Sequence, residues 1–276
     1  MIRRFLACFC LLLSLSNQAI AETRSFGPVE LTGTFEQGGM LLGKAAPGTQ
    51  VTFDGRKLKL SADGDFVLGF GRDDKLKQTL QVVSAAGEAV PVTLQLKARK
   101  YDVQRVDGVP ARTVNPDTSS LPRIQEEAAA VSKARYADSD LSGYLQAFIW
   151  PVKGPISGVY GSQRIFNGEP RRPHFGLDIA APQGSEIHAP ADGVVTLAHP
   201  DMFFSGATMV IDHGHGINTS YLHMSKMLVQ AGDKVKQGQV IGLVGSSGRA
   251  TGPHLCWRLN WYQTRLDPQF VVPKQQ

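Results

Sequence analysis

The residues with the most chemistry in this 276-residue chain lie in its last third: His174, Asp178, His223, His254 and Cys256. They sit in short, glycine-punctuated, β-branched segments, so their spacing is read with the two-residue period of extended backbone. In Pro173-His174-Phe175-Gly176-Leu177-Asp178-Ile179 that period puts His174 and Asp178 on one face with Gly176 between them, which leaves room for an ion. In Gly252-Pro253-His254-Leu255-Cys256-Trp257 it puts His254 and Cys256 on one face and turns Leu255 and Trp257 into apolar packing. Imidazole, carboxylate and thiolate donors converging in this way suit Zn2+. The same alternation places Thr219 and Tyr221 on the face of His223, where each serves either as a substrate contact or as an ordinary strand residue.

Cysteine usage adds weight to Cys256. The chain opens with Arg3 and Arg4, an apolar stretch from Phe5 to Leu15, and Ala19-Ile20-Ala21 before Glu22, the three parts of an export signal. Residues 1–21 are therefore read as a signal peptide. The apolar stretch is too short for a membrane span, so none is expected after cleavage, and the mature chain is exported, with a periplasmic location. Cleavage removes Cys8 and Cys10, which leaves Cys256 without a disulfide partner. An unpaired thiol in an oxidising compartment is tolerated when it is metal-bound or buried as a small apolar group. Arg3 and Arg4 also leave while no acid does, so the formal net charge of +5 drops by two. So small an excess argues against nucleic acid as a partner and is compatible with an anionic wall polymer.

The elements that must position these residues read as all-β. From Thr23 to Lys100 apolar and polar residues alternate in short runs, such as Val51 and Phe53, Phe66 and Leu68, Leu80 and Val82, Val92 and Leu94. Turn pairs separate them: Pro47-Gly48, Asp54-Gly55, Asp63-Gly64 and Ala86-Gly87. The pattern predicts an N-terminal antiparallel β-sandwich over 22–108, each strand with one buried face. Residues 109–147 read as a linker with one helix from Pro122 to Tyr136, in which Ile124, Ala128, Val131 and Arg135 recur at helical spacing. Residues 148–276 form a second antiparallel β domain with strands at Val194–Leu197, Thr208–Ile211, Asn218–Leu222 and Val240–Val244, and a hairpin at Asp212-His213-Gly214-His215-Gly216.

Several ordered motifs of this domain carry a family resemblance: His174-Phe175-Gly176-Leu177-Asp178-Ile179-Ala180, Ala189-Pro190-Ala191-Asp192-Gly193, Tyr221-Leu222-His223-Met224-Ser225 and Thr251-Gly252-Pro253-His254-Leu255. From about Phe148 to Pro268 the chain resembles the LytM/lysostaphin-type zinc metallopeptidases, which cut peptide cross-links in peptidoglycan. The resemblance implies that His174 and Asp178 are metal ligands. It places Cys256 where the family has its third ligand, a histidine. It also makes His223 and His254 the catalytic histidines, one taking the proton of a water and the other stabilising the oxyanion. A zinc-dependent peptidoglycan endopeptidase is the implied function. The alternative is a catalytically inactive relative that activates another cell-wall hydrolase. The N-terminal domain either positions the catalytic domain, binds a divisome or cell-wall hydrolase partner, or covers the cleft until release.

Remaining features weigh less. His213 and His215 share a one-residue gap, but their glycine-rich turn favours packing roles over a second metal pair. His188 and His199 have no partners in the sequence and read as structural. Arg164, Arg171 and Arg172 precede the first ligand and either attract stem-peptide carboxylates or stay solvated. The run Gly232–Ile241 resembles the lead-in of biotinyl and lipoyl carrier domains, yet Gly245-Ser246-Ser247-Gly248 follows where a carrier needs a lysine, which removes that reading.

Overall fold

The computed structural model describes residues 21–275, so the signal-peptide reading falls almost wholly outside the described residues. Among these no helix is long and apolar enough to cross a membrane. The fold is mostly antiparallel β. In the N-terminal region Glu22–Phe26, Val29–Gly33, Met40–Ala45 and Asp65–Gly69 form one four-stranded sheet, and Arg56–Lys57, Gln50–Phe53, Lys77–Val83 and Ala89–Gln95 form another. The alternating apolar residues face each other between the sheets: Leu31, Leu41, Phe66 and Leu68 from one, Val51, Leu80, Val82 and Leu94 from the other, all fully buried. Burying each large side chain contributes roughly 1.5–3 kcal/mol. The ring of Phe66 lies directly over Gly43, where any Cβ would come within 2.1 Å of it. Glycine is required there by close approach, not by backbone angle.

One strand departs from the expected single buried face. Phe66, Val67, Leu68 and Gly69 are all buried. Beyond the sandwich core this strand is covered by the C-terminal region, since a Cβ on Gly69 would meet Leu266 and Trp261. Phe53 packs at 5.7 Å from Phe70 and 5.9 Å from Trp261. The carboxylate of Asp267, buried at 1% exposure, accepts from Arg99 Nη1 at 2.8 Å. The two β regions thus share one continuous apolar core.

The C-terminal region is built on an eight-stranded sheet in the order Ile156–Gly158, Leu177–Ala180, His254–Trp261, Ile217–Met224, Gly206–Gly214, Gly193–Met202 and Lys234–Val235, with Thr264–Leu266 paired to His254–Trp261. Three of the expected strands fall inside strands of this sheet, and the fourth, Val240–Val244, corresponds to Val240–Leu243 in a separate three-stranded sheet with Glu186–His188 and Lys226–Met227. The hairpin turns at His215 and Gly216, whose φ values of +50° and +80° are those of a two-residue turn matching the strand twist.

Residues 109–147 are more structured than a spacer. The helix spans Leu121–Arg135 with Pro122 in its first turn, and a short helix occupies Ala111–Val114. Its buried positions are Glu127, Ala134 and Arg135, and Ala128 is exposed, so the apolar stripe expected through Ala128 is displaced by one residue. The reason is polar: the Glu127 carboxylate accepts from Arg123 Nε at 2.6 Å and from the Phe203 amide at 2.8 Å, which turns that side of the helix to the sheet. Just before it, Val103–Val106 pairs in parallel with Gln163–Phe166, an arrangement that needs a long connection and that local patterning does not signal.

Candidate metal centre

Three strands position the donors. Asp178 on Leu177–Ala180 lies directly opposite Cys256 on His254–Trp261, and Cys256 lies opposite Leu222 on the next strand. Directly opposed residues of an antiparallel pair share a face, so Asp178 and Cys256 point the same way. His174 precedes its strand and is pinned by its own backbone, its amide donating to Ser162 at 2.8 Å and its carbonyl accepting from Gly161 at 2.7 Å. Its Nε2 lies 3.1 Å from Asp178 Oδ1 and 3.4 Å from Cys256 Sγ. One ligand atom from each of the three residues lies within 4.8 Å of the others, and all three residues are buried. Gly176 lies against this cluster, because a Cβ there would sit 3.3 Å from Cys256 Sγ and 2.7 Å from Arg258 Cγ.

Backbone carbonyls hold the tautomers. His174 Nδ1 donates to Val159 at 3.3 Å, His223 Nδ1 to Ser247 at 2.7 Å and His254 Nδ1 to Gly252 at 2.8 Å. A carbonyl only accepts, so each neutral imidazole carries its proton on Nδ1 and presents a lone pair at Nε2. The rings of His223 and His254 are 4.8 Å apart, and His254 Nε2 is 3.9 Å from Asp178 Oδ1.

Whether the residues fit a cation is tested by Asp178. Its Oδ1 is buried with no hydrogen bond donor aligned on it, although His174 Nε2 is close. A protonated Cys256 thiol can donate to His174 Nε2 across 3.4 Å, but that leaves no proton for Asp178 Oδ1, and a buried carboxylate oxygen without a donor is unfavourable unless a cation lies against it. The other carboxylate oxygen, Oδ2, accepts from Arg164, which orients Asp178 in the manner of an outer-sphere partner. The donor set therefore fits a divalent ion. Burial alone would push the Asp178 carboxyl up, but His174, Arg164 and His254 outweigh it and hold it well below the usual carboxylate range. Burial lowers His174, partly opposed by Asp178. Burial, with the adjacent His254, pulls His223 down to about 3. Burial, with the charge of Asp178, raises the Cys256 thiol to about 11, so without a cation the sulfur keeps its proton.

The cluster opens into a cleft of about 290 Å³ lined by Asp178, His223 and His254. His223 reaches it through a φ of +66°. That residue breaks the two-residue alternation, and so Thr219 and Tyr221 do not share its outlook. They point into the core, hydrogen bonded to each other at 2.8 Å, with Thr219 Oγ1 also 2.8 Å from His213 Nε2. Neither lines the cleft. His213 is further satisfied at Nδ1 by the Asp192 carbonyl at 2.8 Å, and His215 stacks on Tyr144 at 4.5 Å. Arg171 is turned away from the cleft, donating to the Val114 carbonyl and Asn115 Oδ1, and Arg172 is exposed.

Sequence reading missed one wall of the cleft altogether. Gln104, Val106, Val109, Phe166 and Arg249 line it. The first three come from the stretch that leaves the N-terminal sandwich and reach the site only through the parallel pairing with Gln163–Phe166.

Residues 172–268 match the model of Peptidase family M23. The chain is 45% identical over 131 residues to the peptidoglycan DD-endopeptidase ShyA of Vibrio cholerae, covering 45% of this chain and 30% of ShyA. It is 31% identical over 167 residues to the cell division protein DipM of Caulobacter vibrioides, covering 58% of this chain and 26% of DipM. The chain thus spans less than a third of the length of these curated relatives. A solved Pseudomonas aeruginosa structure described as an M23 peptidase superposes with a TM-score of 0.67 at 29% identity, covering 87% of this chain and 95% of that one.

Proposed function

We propose that the chain, whose residues 172–268 match the model of peptidase family M23, is a zinc-dependent endopeptidase hydrolysing peptide cross-links of bacterial peptidoglycan. The observation that carries this reading is the buried, undonated Oδ1 of Asp178, facing His174 Nε2 and Cys256 Sγ beside two histidines with open Nε2 positions. ShyA, named a peptidoglycan DD-endopeptidase, supplies the substrate class.

In this reading His174, Asp178 and Cys256 hold the zinc. When bound, the ion would polarise the scissile carbonyl and make a coordinated water more acidic. His254, less buried than His223, accepts the water's proton at Nε2 and passes it to the leaving amine. The resemblance leaves open which histidine takes the proton, and an oxyanion-donating role for His223 would require a second proton on a ring whose burial opposes one. Neutral His223 instead accepts at Nε2 and orients the attacking water. Arg164 keeps Asp178 ionised and aimed. A thiolate adds negative charge that an imidazole would not, so this site is a weaker Lewis acid than one with a third histidine, and turnover is slower but not abolished.

The polypeptide is taken as a signal peptide (1–21), an N-terminal β-sandwich (22–108), a connector (109–147) and the metallopeptidase domain (148–276), acting in the periplasm. A second reading, a non-hydrolysing module that stimulates another wall hydrolase of the division machinery, draws on the likeness to DipM and on Cys256. One experiment separates the two. The purified mature chain is incubated with isolated sacculi, with His254→Ala alongside, and released muropeptides are analysed. Cleavage of cross-linked dimers by the unmodified chain only supports the peptidase. No cleavage, with stimulation of an added amidase, supports the activator.

A further inference from the structure

The cleft carries more positive charge than its own residues balance. Of the side chains lining it, Asp178 is the one carboxylate, against the guanidinium groups of Arg164 and Arg249. Arg164 is committed, to Asp178 through one nitrogen and to Gln104 Oε1 through Nε at 3.3 Å. Arg249 is not. Its guanidinium carbon lies 4.8 Å from the ring centre of Phe166 and 4.8 Å from that of Phe204, and its Nη1 donates to the Thr113 carbonyl at 3.1 Å. No carboxylate among the described residues lies within ion-pair distance of it.

Such a guanidinium is well suited to recognise an anion. The two aromatic rings fix its plane, so little side-chain entropy is lost when it binds. Its remaining N–H donors have the fork spacing that a carboxylate accepts. Burial, together with the charges of Arg164, Arg258 and Arg171, pulls its pKa down to about 10, so it stays charged at neutral pH while that charge remains poorly compensated. Cys256 and Asp178 offer no relief once their lone pairs are directed at a cation. The missing counter-charge must come from what enters the cleft.

We propose that Arg249 is the carboxylate-recognition residue of the cleft, and that the protein selects peptides bearing a free carboxylate over otherwise identical peptides in which it is an amide. This deepens the peptidase reading and rests on it for the identity of the ligand as a peptide. It also assigns work to the stretch between the sandwich and the helix. Val106, Val109 and Val114 form a small separate core with Phe166, and that core, with the Thr113 carbonyl, holds the arginine in place.

Binding, not turnover, is the test, so its failure is distinct from failure to cut sacculi. Calorimetry on the zinc-loaded mature chain compares N-acetyl-Lys-D-Ala-D-Ala with its C-terminal amide, and with a peptide amide whose one carboxylate is a D-Glu side chain. At least one acid is expected to bind roughly tenfold tighter than the amide, and which acid does so identifies the source of the carboxylate. Arg249→Gln should erase the preference and Arg249→Lys should keep part of it, with thermal unfolding of each variant confirming the fold. Equal binding of acids and amide, no measurable binding of either acid, or a preference undiminished in folded Arg249→Gln overturns the proposal.

Discussion

Two histidine-bearing clusters in the same sheet look alike in sequence and are opposite in physics. His213 and His215 have the one-residue gap of a metal pair, yet every polar atom of His213 is spent, on Asp192 and on the Thr219 hydroxyl, and His215 is stacked on Tyr144. His174, Asp178 and Cys256 come from segments about 80 residues apart and leave a buried carboxylate oxygen undonated beside an imidazole and a sulfur. Donor type and spacing do not separate a ligand from a packing residue. The separation lies in whether unused donors converge: His215 Nδ1 is also buried without a partner, but among the described residues the converging group is His174, Asp178 and Cys256.

Metal content is the strongest way to break this contrast. His174→Ala, Asp178→Ala or Cys256→Ala should each lower zinc affinity by more than the roughly 100-fold that loss of an outer partner costs, read as zinc per chain after dialysis. His213→Ala should leave the stoichiometry unchanged. Zinc lost from His213→Ala, or kept by the double His174→Ala/Asp178→Ala chain, would erase the distinction.

Stability should show the reverse order. His213→Ala opens a cavity and strips partners from Thr219 and the Asp192 carbonyl, so urea unfolding should register a loss of about 2–4 kcal/mol. A loss within experimental error would mean that the pair does not pack as described.

Acid sharpens the same point. His213 is pulled to about 4 and His223 to about 3, both by burial. Their folded pKa values lie below the ordinary histidine value of 6.5, so the unfolded chain takes up protons first. The metal-free protein should be at full stability above about pH 6.5 and lose on the order of 1 kcal/mol per pH unit for each histidine on the way down toward pH 4. Urea midpoints that stay level from pH 7 to pH 5 would contradict burial of these rings as neutral groups.

The smallest change is expected from Cys256→His, which should retain one zinc per chain because imidazole is an equally competent donor at a slightly shorter bond. The cobalt-loaded chain should show a sulfur-to-metal charge-transfer band that Cys256→His lacks. A band identical in both would place the sulfur outside the inner sphere.

Much of this was legible along the chain. Alternation in Gln50–Phe53 and Lys77–Val83 announced strands because side-chain direction there follows sequence parity, and the five candidate site residues stood out because their types are costly to bury without a task. Parity failed at His223, where a left-handed backbone turns that ring to the cleft while Thr219 and Tyr221 keep their places in the core. It also failed at Ala128, since a buried Glu127 with two donors outweighs an apolar preference that a methyl group expresses weakly.

The chain by itself determined which chemistry is available: an imidazole, a carboxylate and a thiol in strand-compatible spacing, two more imidazoles, and a β scaffold to carry them. Short-range rules suffice for that, because strand alternation and donor type are local properties. Tertiary structure alone decided that Val103–Val106 would lie alongside Gln163–Phe166 and bring Gln104, Val106 and Val109 to the cleft, and that Arg249 would be held between Phe166 and Phe204 with no acid to meet. Contacts between distant segments are set by how whole apolar faces close on one another, and no window of neighbouring residues contains that information.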